Sequence, residues 1–179
     1  MHRRQFLTAP LSLATASLLP LRAEADAAPW PKGLPAPALQ AKDLAGRSWD
    51  LAALQGRAVL VNFWATWCPP CLAELPSMQA LADQHGSNKL VVLCVNVRES
   101  AAKVARFVQT TGLRLPVLLD TDGAITQAWN VNVFPTSVLV GADGQPSRRI
   151  RGELDWTGAQ AQAWLRPLLP AKPASANAA

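Results

Sequence analysis

The hydrophobic pattern divides the chain into strand-like runs and helically spaced segments separated by glycine and proline. Ala58 to Trp64 is apolar without alternation and follows Gly56, the pattern of a strand buried on both faces. Lys89 to Val97 repeats it. Between them, Leu72, Leu75, Met78 and Leu81 recur at three-residue steps and predict a helix beginning near Cys68. Pro76 falls inside that helix and removes one hydrogen bond, so a kink is expected there. Ala101 to Thr110, with Val104, Phe107 and Val108, predicts a second helix, Pro116 to Leu119 a short strand and Gly123 to Trp129 a short helix. Thr136 to Val140 and Ser147 to Arg151 flank Gly141-Ala142-Asp143-Gly144 and predict a hairpin. Thr157 to Leu169 closes the pattern as a helix with Thr157 as N-cap. Upstream, Leu39 to Leu44 and Arg47 to Leu51 form a small hairpin through Ala45-Gly46. Strands alternating with helices predict an α/β layer domain over residues 39–169.

The ends of the chain read differently. Residues 1–25 have the layout of an export signal: basic at Arg3-Arg4, apolar to Leu21, then small residues around Ala23 and Ala25. Arg3-Arg4-x-Phe6-Leu7 resembles a twin-arginine signal, although His2 stands where Ser or Thr is usual; an ordinary secretory signal is the alternative. Polar residues and prolines interrupt the apolar stretch, which falls short of the ~20 residues a spanning helix needs. The mature protein is therefore expected to be soluble and periplasmic. Residues 26–38, rich in Ala and Pro, read as a linker, and 170–179 as a disordered tail.

Charge narrows the partners. The formal net charge is +5, and removal of Arg3, Arg4, Arg22 and Glu24 with a leader leaves 14 basic against 11 acidic residues. So small a surplus argues against nucleic acid or anionic membrane as a partner. The run Arg148-Arg149-Ile150-Arg151 has strand-like spacing and reads as a solvated edge.

The chemistry lies in Trp67-Cys68-Pro69-Pro70-Cys71, between a strand and a helix. Two cysteines so spaced can close and reopen a small disulfide ring. Cys68 would sit at the helix N-terminus, where free N–H groups and the dipole favour a thiolate, and Cys71 one turn further in. A purely structural disulfide gains little from so short a loop. Zinc needs about four ligands, and beyond the pair there are only Cys94, His2 and His85. Haem attachment would require His where Leu72 stands.

The string Val61-Asn62-Phe63-Trp64-Ala65-Thr66-Trp67-Cys68-Pro69-Pro70-Cys71 resembles the thioredoxin superfamily, and within it the extracytoplasmic TlpA/ResA-like thiol–disulfide oxidoreductases. The stretch from Asp43 to Cys71 is similar to the N-terminal β element of that branch. The resemblance covers residues 39–169 and implies a thioredoxin-like fold with an N-terminal hairpin and a central insertion. It further implies that Pro135, in Phe134-Pro135-Thr136, is the cis-proline opposite the disulfide, where exposed backbone pairs with an extended substrate. Glu74 matches an acidic position of the branch and could take the proton of the resolving thiol if desolvation raises its pKa; a solvated first-turn Glu is the alternative. Cytoplasmic thioredoxins bury an Asp where this chain has Asn62, so that proton route is closed.

The expected roles follow: Cys68 as attacking nucleophile, Cys71 as resolving thiol, Glu74 as proton acceptor, and Trp67, Phe134 and Pro135 as the client contact. Trp64 is assigned to the core. Cys94 reads as a buried core thiol, with a second disulfide or a partner link as the alternative. No cofactor beyond the disulfide and no metal is expected. The function expected is a periplasmic reductase of protein disulfides, because Pro69 and Pro70 offer the thiolate no N–H. By resemblance its clients would be apocytochrome c or copper-site cysteines, and its electrons would come from a membrane thiol transporter. The rivals are an oxidant or isomerase on the same fold, a peroxidase, and a copper-delivery module. Val61 and Ala65 stand where a peroxidase needs Pro and Thr; copper-delivery relatives use C-x-x-x-C and a later His.

Overall fold

The computed structural model describes residues 25–171. Of the segments read as export signal and tail, all but Ala25, Pro170 and Ala171 lie outside the described residues. Eight strands occur among the described residues: β1 (Asp26–Pro29), β2 (Gln40–Lys42), β3 (Ser48–Asp50), β4 (Ala58–Trp64), β5 (Leu90–Val97), β6 (Val117–Asp120), β7 (Thr136–Val140) and β8 (Pro146–Arg151). The helices are α1 (Pro69–His85), α2 (Ala101–Thr111), α3 (Ala124–Ala128) and α4 (Ala159–Leu165). Six strands form one mixed sheet in the order β1-β8-β7-β4-β5-β6, and β2 and β3 pair as the predicted hairpin. β4 runs parallel to β5 and antiparallel to β7, and is buried along its whole length. This is the thioredoxin-like arrangement. The inserted segment between the βαβ unit and the terminal hairpin supplies β6, which extends the sheet parallel to β5.

The two faces of the sheet carry separate cores. Leu60, Trp64, Val92 and Cys94 pack with Leu75, Met78 and Leu81 of α1 and with Leu165 of α4. Val59, Val61, Phe63, Leu93 and Val95 face the other way, against Trp30, Leu39, Trp49 and Trp129. Strand alternation thus assigns Asn62 to the α1 side. α1 continues through Pro76, which lies on its exposed side.

Three expectations are corrected. The segment 26–38 is not a free linker: β1 pairs antiparallel with β8, and Trp30 is buried edge-on against Trp129 with ring centroids 6.1 Å apart. Its Nε1 donates to Leu34 O at 3.0 Å. Ala and Pro hide the segment's role because it packs as a cover and not as a periodic element. The Arg148–Arg151 run is likewise no solvated edge. β1 lies outside it, Arg148 stacks on Trp164 at 4.8 Å, and Arg149 stacks on Trp30 at 4.7 Å. The last helix starts after Gly158, not Thr157. Asp155 Oδ1 accepts from both the N–H and the hydroxyl of Thr157, leaving that hydroxyl no part in the cap. Pro167 then ends the regular helix, and Arg166–Leu168 is a 3-10 turn.

Candidate active site

β4 delivers the chain to the edge of its core, and the turn Ala65-Thr66-Trp67 turns it into α1. Cys68 is the N-cap of α1, in extended conformation, with Pro69 and Pro70 in the first helical positions, where a missing N–H costs nothing. Cys68 and Cys71 are joined by a disulfide, Sγ–Sγ 2.07 Å and Cα–Cα 5.3 Å. Both sulfurs are shielded, Cys71 completely and Cys68 nearly so. The rim is apolar. Trp67 is 60% exposed and Val133 47%, and Trp67 stands edge-on to Phe134 at 6.0 Å. The Phe134–Pro135 peptide is cis and leads directly into β7, the neighbour of β4.

Beneath the disulfide lies a buried carboxyl. Glu74 follows Cys71 by one turn and is 2% exposed. Asn62 Nδ2 donates to its Oε1 at 2.7 Å; Leu154 N and Trp156 Nε1 donate to its Oε2 at 3.3 and 3.4 Å. Burial pushes its pKa up to about 8 against the pull of these three donors, and Glu153 adds a smaller push. The solvated first-turn reading therefore does not describe it. Asn62 Nδ2 also donates to Ser137 Oγ at 2.9 Å, while Asn62 Oδ1 is buried without a partner. Turning that amide over would present an acceptor to a protonated Glu74 in place of a donor to an ionised one.

Cys94 is free and fully buried on β5, paired in register with Asn62. Burial, reinforced by the charge of Glu74, drives its thiol pKa far above the usual range, so it is inert as a thiolate.

A second buried carboxyl escaped the sequence reading. Glu99 accepts from Thr66 N and Oγ1, both at 2.6 Å, and from Asn96 Nδ2 at 2.8 Å, and pairs with Lys103 Nζ at 2.7 Å. Burial opposes its charge, but Lys103, Thr66 and Asn96 outweigh that and hold its pKa at about 2. Glu99 thereby ties the turn before Cys68 to the end of β5. The sequence offered only one signal for it, an acid immediately before the Ser100 cap of α2.

A C-x-x-C disulfide at a helix start, with a cis-proline opening the strand next to β4, is the arrangement of thioredoxin-fold redox proteins, and solved members superpose on this chain. The thiol:disulfide interchange protein of Chlorobium tepidum TLS does so with a TM-score of 0.66 and 29% identity, over 75% of this chain and 94% of that one. The exposed lipoprotein thioredoxin of Streptococcus pneumoniae gives 0.64 and 26%, over 72% and 98%. The chain belongs to the Redoxin family, which matches residues 31–164. It is 34% identical over 123 residues, 69% of each chain, to the thiol–disulfide oxidoreductase ResA of Bacillus subtilis. It is itself a ResA-like thiol–disulfide oxidoreductase.

Proposed function

We propose that the protein works outside the cytoplasm, in the periplasm, mainly as a reductase of protein disulfides. The observation that carries this reading is Glu74, a carboxyl buried one turn beyond Cys71 that keeps its proton near neutral pH in the oxidised protein. In the working direction Cys68 thiolate attacks one sulfur of a client disulfide. The other client sulfur leaves as a thiolate and takes a proton from solvent. In the mixed disulfide Glu74 is ionised; Cys71 gives its proton to it and attacks Cys68 Sγ, which releases the second client sulfur as a thiolate that also takes a proton from solvent. The client gains two electrons and two protons, and Cys68–Cys71 is left oxidised. When a donor thiolate reopens the disulfide at Cys68, Cys71 departs as a thiolate and Glu74 returns the proton to it.

Trp67, Phe134 and Pro135 form the client contact, the backbone before Pro135 pairing with an extended segment. Apocytochrome c or copper-site cysteines are the clients, and a membrane thiol transporter is the donor; both follow from the family resemblance. An extracytoplasmic site is supported by the leader-like residues 1–25 and by the exposed lipoprotein among the neighbours. No helix among the described residues is long and apolar enough to cross a membrane.

The test is the reduction potential of Cys68–Cys71, measured by equilibration in thiol buffers with Cys94→Ala as control. A value near or below about −270 mV, that of thioredoxin, is expected. A value near −120 mV, that of the strong periplasmic oxidant, would reverse the direction and leave an oxidase.

A further inference from the structure

A cleft of about 530 Å³ is lined by Trp67, the chain neighbour of Cys68, with Phe134 on its aromatic side, and by Arg98, Gly123, Gln127 and Asn130 on its polar side. Its aromatic end is the rim to which the functional reading assigns the client. Its far end is built around Arg98, a non-glycine residue in the left-handed region, with φ 55°. Such a conformation is uncommon and signals a constraint. Here it has two consequences at the end of β5. The next residue, Glu99, points inward to Thr66 and Lys103, and the Arg98 side chain lies back across Gly123. A Cβ on Gly123 would sit 2.4 Å from Arg98 Nε, so the close approach requires glycine there.

No carboxylate among the described residues is paired with the guanidinium. The Asp120 carboxylate accepts from the N–H groups of Ile125 and Thr126 and from the Thr126 hydroxyl. Asp122 accepts from Ala124 N at 3.0 Å. Glu99 is paired with Lys103. Among the described residues Arg98 enters no ion pair, although it is exposed at the mouth of a cleft whose other end is apolar.

We infer that this cleft is a client subsite in which Arg98 reads a carboxylate: the preferred substrate is an extended segment carrying an acidic side chain near its reactive cysteine. The inference rests on the functional reading above. The aromatic end supplies contact to any extended segment, and the fixed cation supplies the selectivity.

The test uses disulfide-bearing peptides in which one Glu is moved through the three positions on either side of a cysteine, each with a Gln counterpart. Reduction is followed with the full chain held reduced by excess dithiol. At one or more positions the Glu peptide is expected to have a kcat/KM roughly two- to fivefold above its Gln counterpart, the worth of one partly exposed charge pair. The ratio should fall towards one as salt is raised. Arg98→Asn, which keeps a residue tolerant of left-handed backbone, should bring it to one in low salt, and Arg98→Lys should retain part of it. A Glu-to-Gln ratio of one at every position in the unaltered protein overturns the inference and leaves the functional reading standing. Persistence of the preference in Arg98→Asn also overturns it. Failure to reduce any peptide overturns both.

Discussion

If Glu74 keeps its proton in the folded protein, neutralising it will change how stability depends on pH. Its carboxyl moves from the ordinary 4.5 to about 8 on folding, burial being the cause. Between those values the unfolded chain has released a proton that the folded chain still holds, so stability falls as pH rises through this window. The slope approaches about 1.4 kcal/mol per pH unit, which amounts to about 3 kcal/mol between pH 5 and 7.5 and about 3.5 kcal/mol by pH 8, where the folded carboxyl itself begins to ionise. Glu74→Gln removes the titration while keeping a neutral group that can accept from Leu154 and Trp156 and donate to the unpartnered Asn62 Oδ1. Urea unfolding of both oxidised proteins at fixed ionic strength, in half-unit pH steps, should show the variant gaining steadily on the parent above pH 5. Glu99 does not interfere, because its pKa is lowered to about 2 and its contribution is lost only as pH falls from 4.5. Two parallel stability curves would refute the reasoning. They would mean that the buried carboxyl has an ordinary pKa, and the proposed proton transfer to and from Cys71 would lose its basis.

Two other substitutions test the supports of the site. Trp30→Ala should destabilise the protein by about 3–5 kcal/mol in urea unfolding, the usual cost of truncating a buried tryptophan; a loss below about 1 kcal/mol would restore the linker reading of 26–38. Glu99→Ala strands the Thr66 N–H and the Asn96 amide, so a loss of about 2–3 kcal/mol is expected, accompanied by slower client reduction as the turn before Cys68 loosens. Unchanged stability and rate would show that the turn is held by other contacts.

What the sequence disclosed, and what it did not, divides by the range of the forces involved. β4 and β5 were legible because a strand buried on both faces must be continuously apolar, and the cysteine pair because its spacing and its place at a helix start are local. The Phe134–Pro135 position was legible only through resemblance. Glu99 was invisible because its partner Thr66 lies 33 residues away and nothing in the sequence near Glu99 records the contact. β1 was invisible for a similar reason: Asp-Ala-Ala-Pro has no strand preference of its own, and becomes a strand because β8 offers it hydrogen bonds and Trp129 offers Trp30 a surface. Arg98 belongs with these, since a left-handed backbone at a non-glycine residue follows from the packing around it.

The short strand β1 also has a protective effect. An unpaired β8 would present a row of free backbone groups, an invitation to any extended chain that met it. β1 takes that place with only four residues, one of which is Pro29, and Asp26 lies 3.5 Å from Arg151 across the pair. At the opposite margin, Leu44 N bonds to Val117 O at 3.0 Å and Asp43 bridges to Leu118, so β6 is partly covered too. A protein proposed to handle unfolded, cysteine-bearing segments would otherwise risk templating their aggregation along its own sheet. With both margins blunted, such a chain is directed away from the sheet edges and toward the aromatic rim beside Cys68.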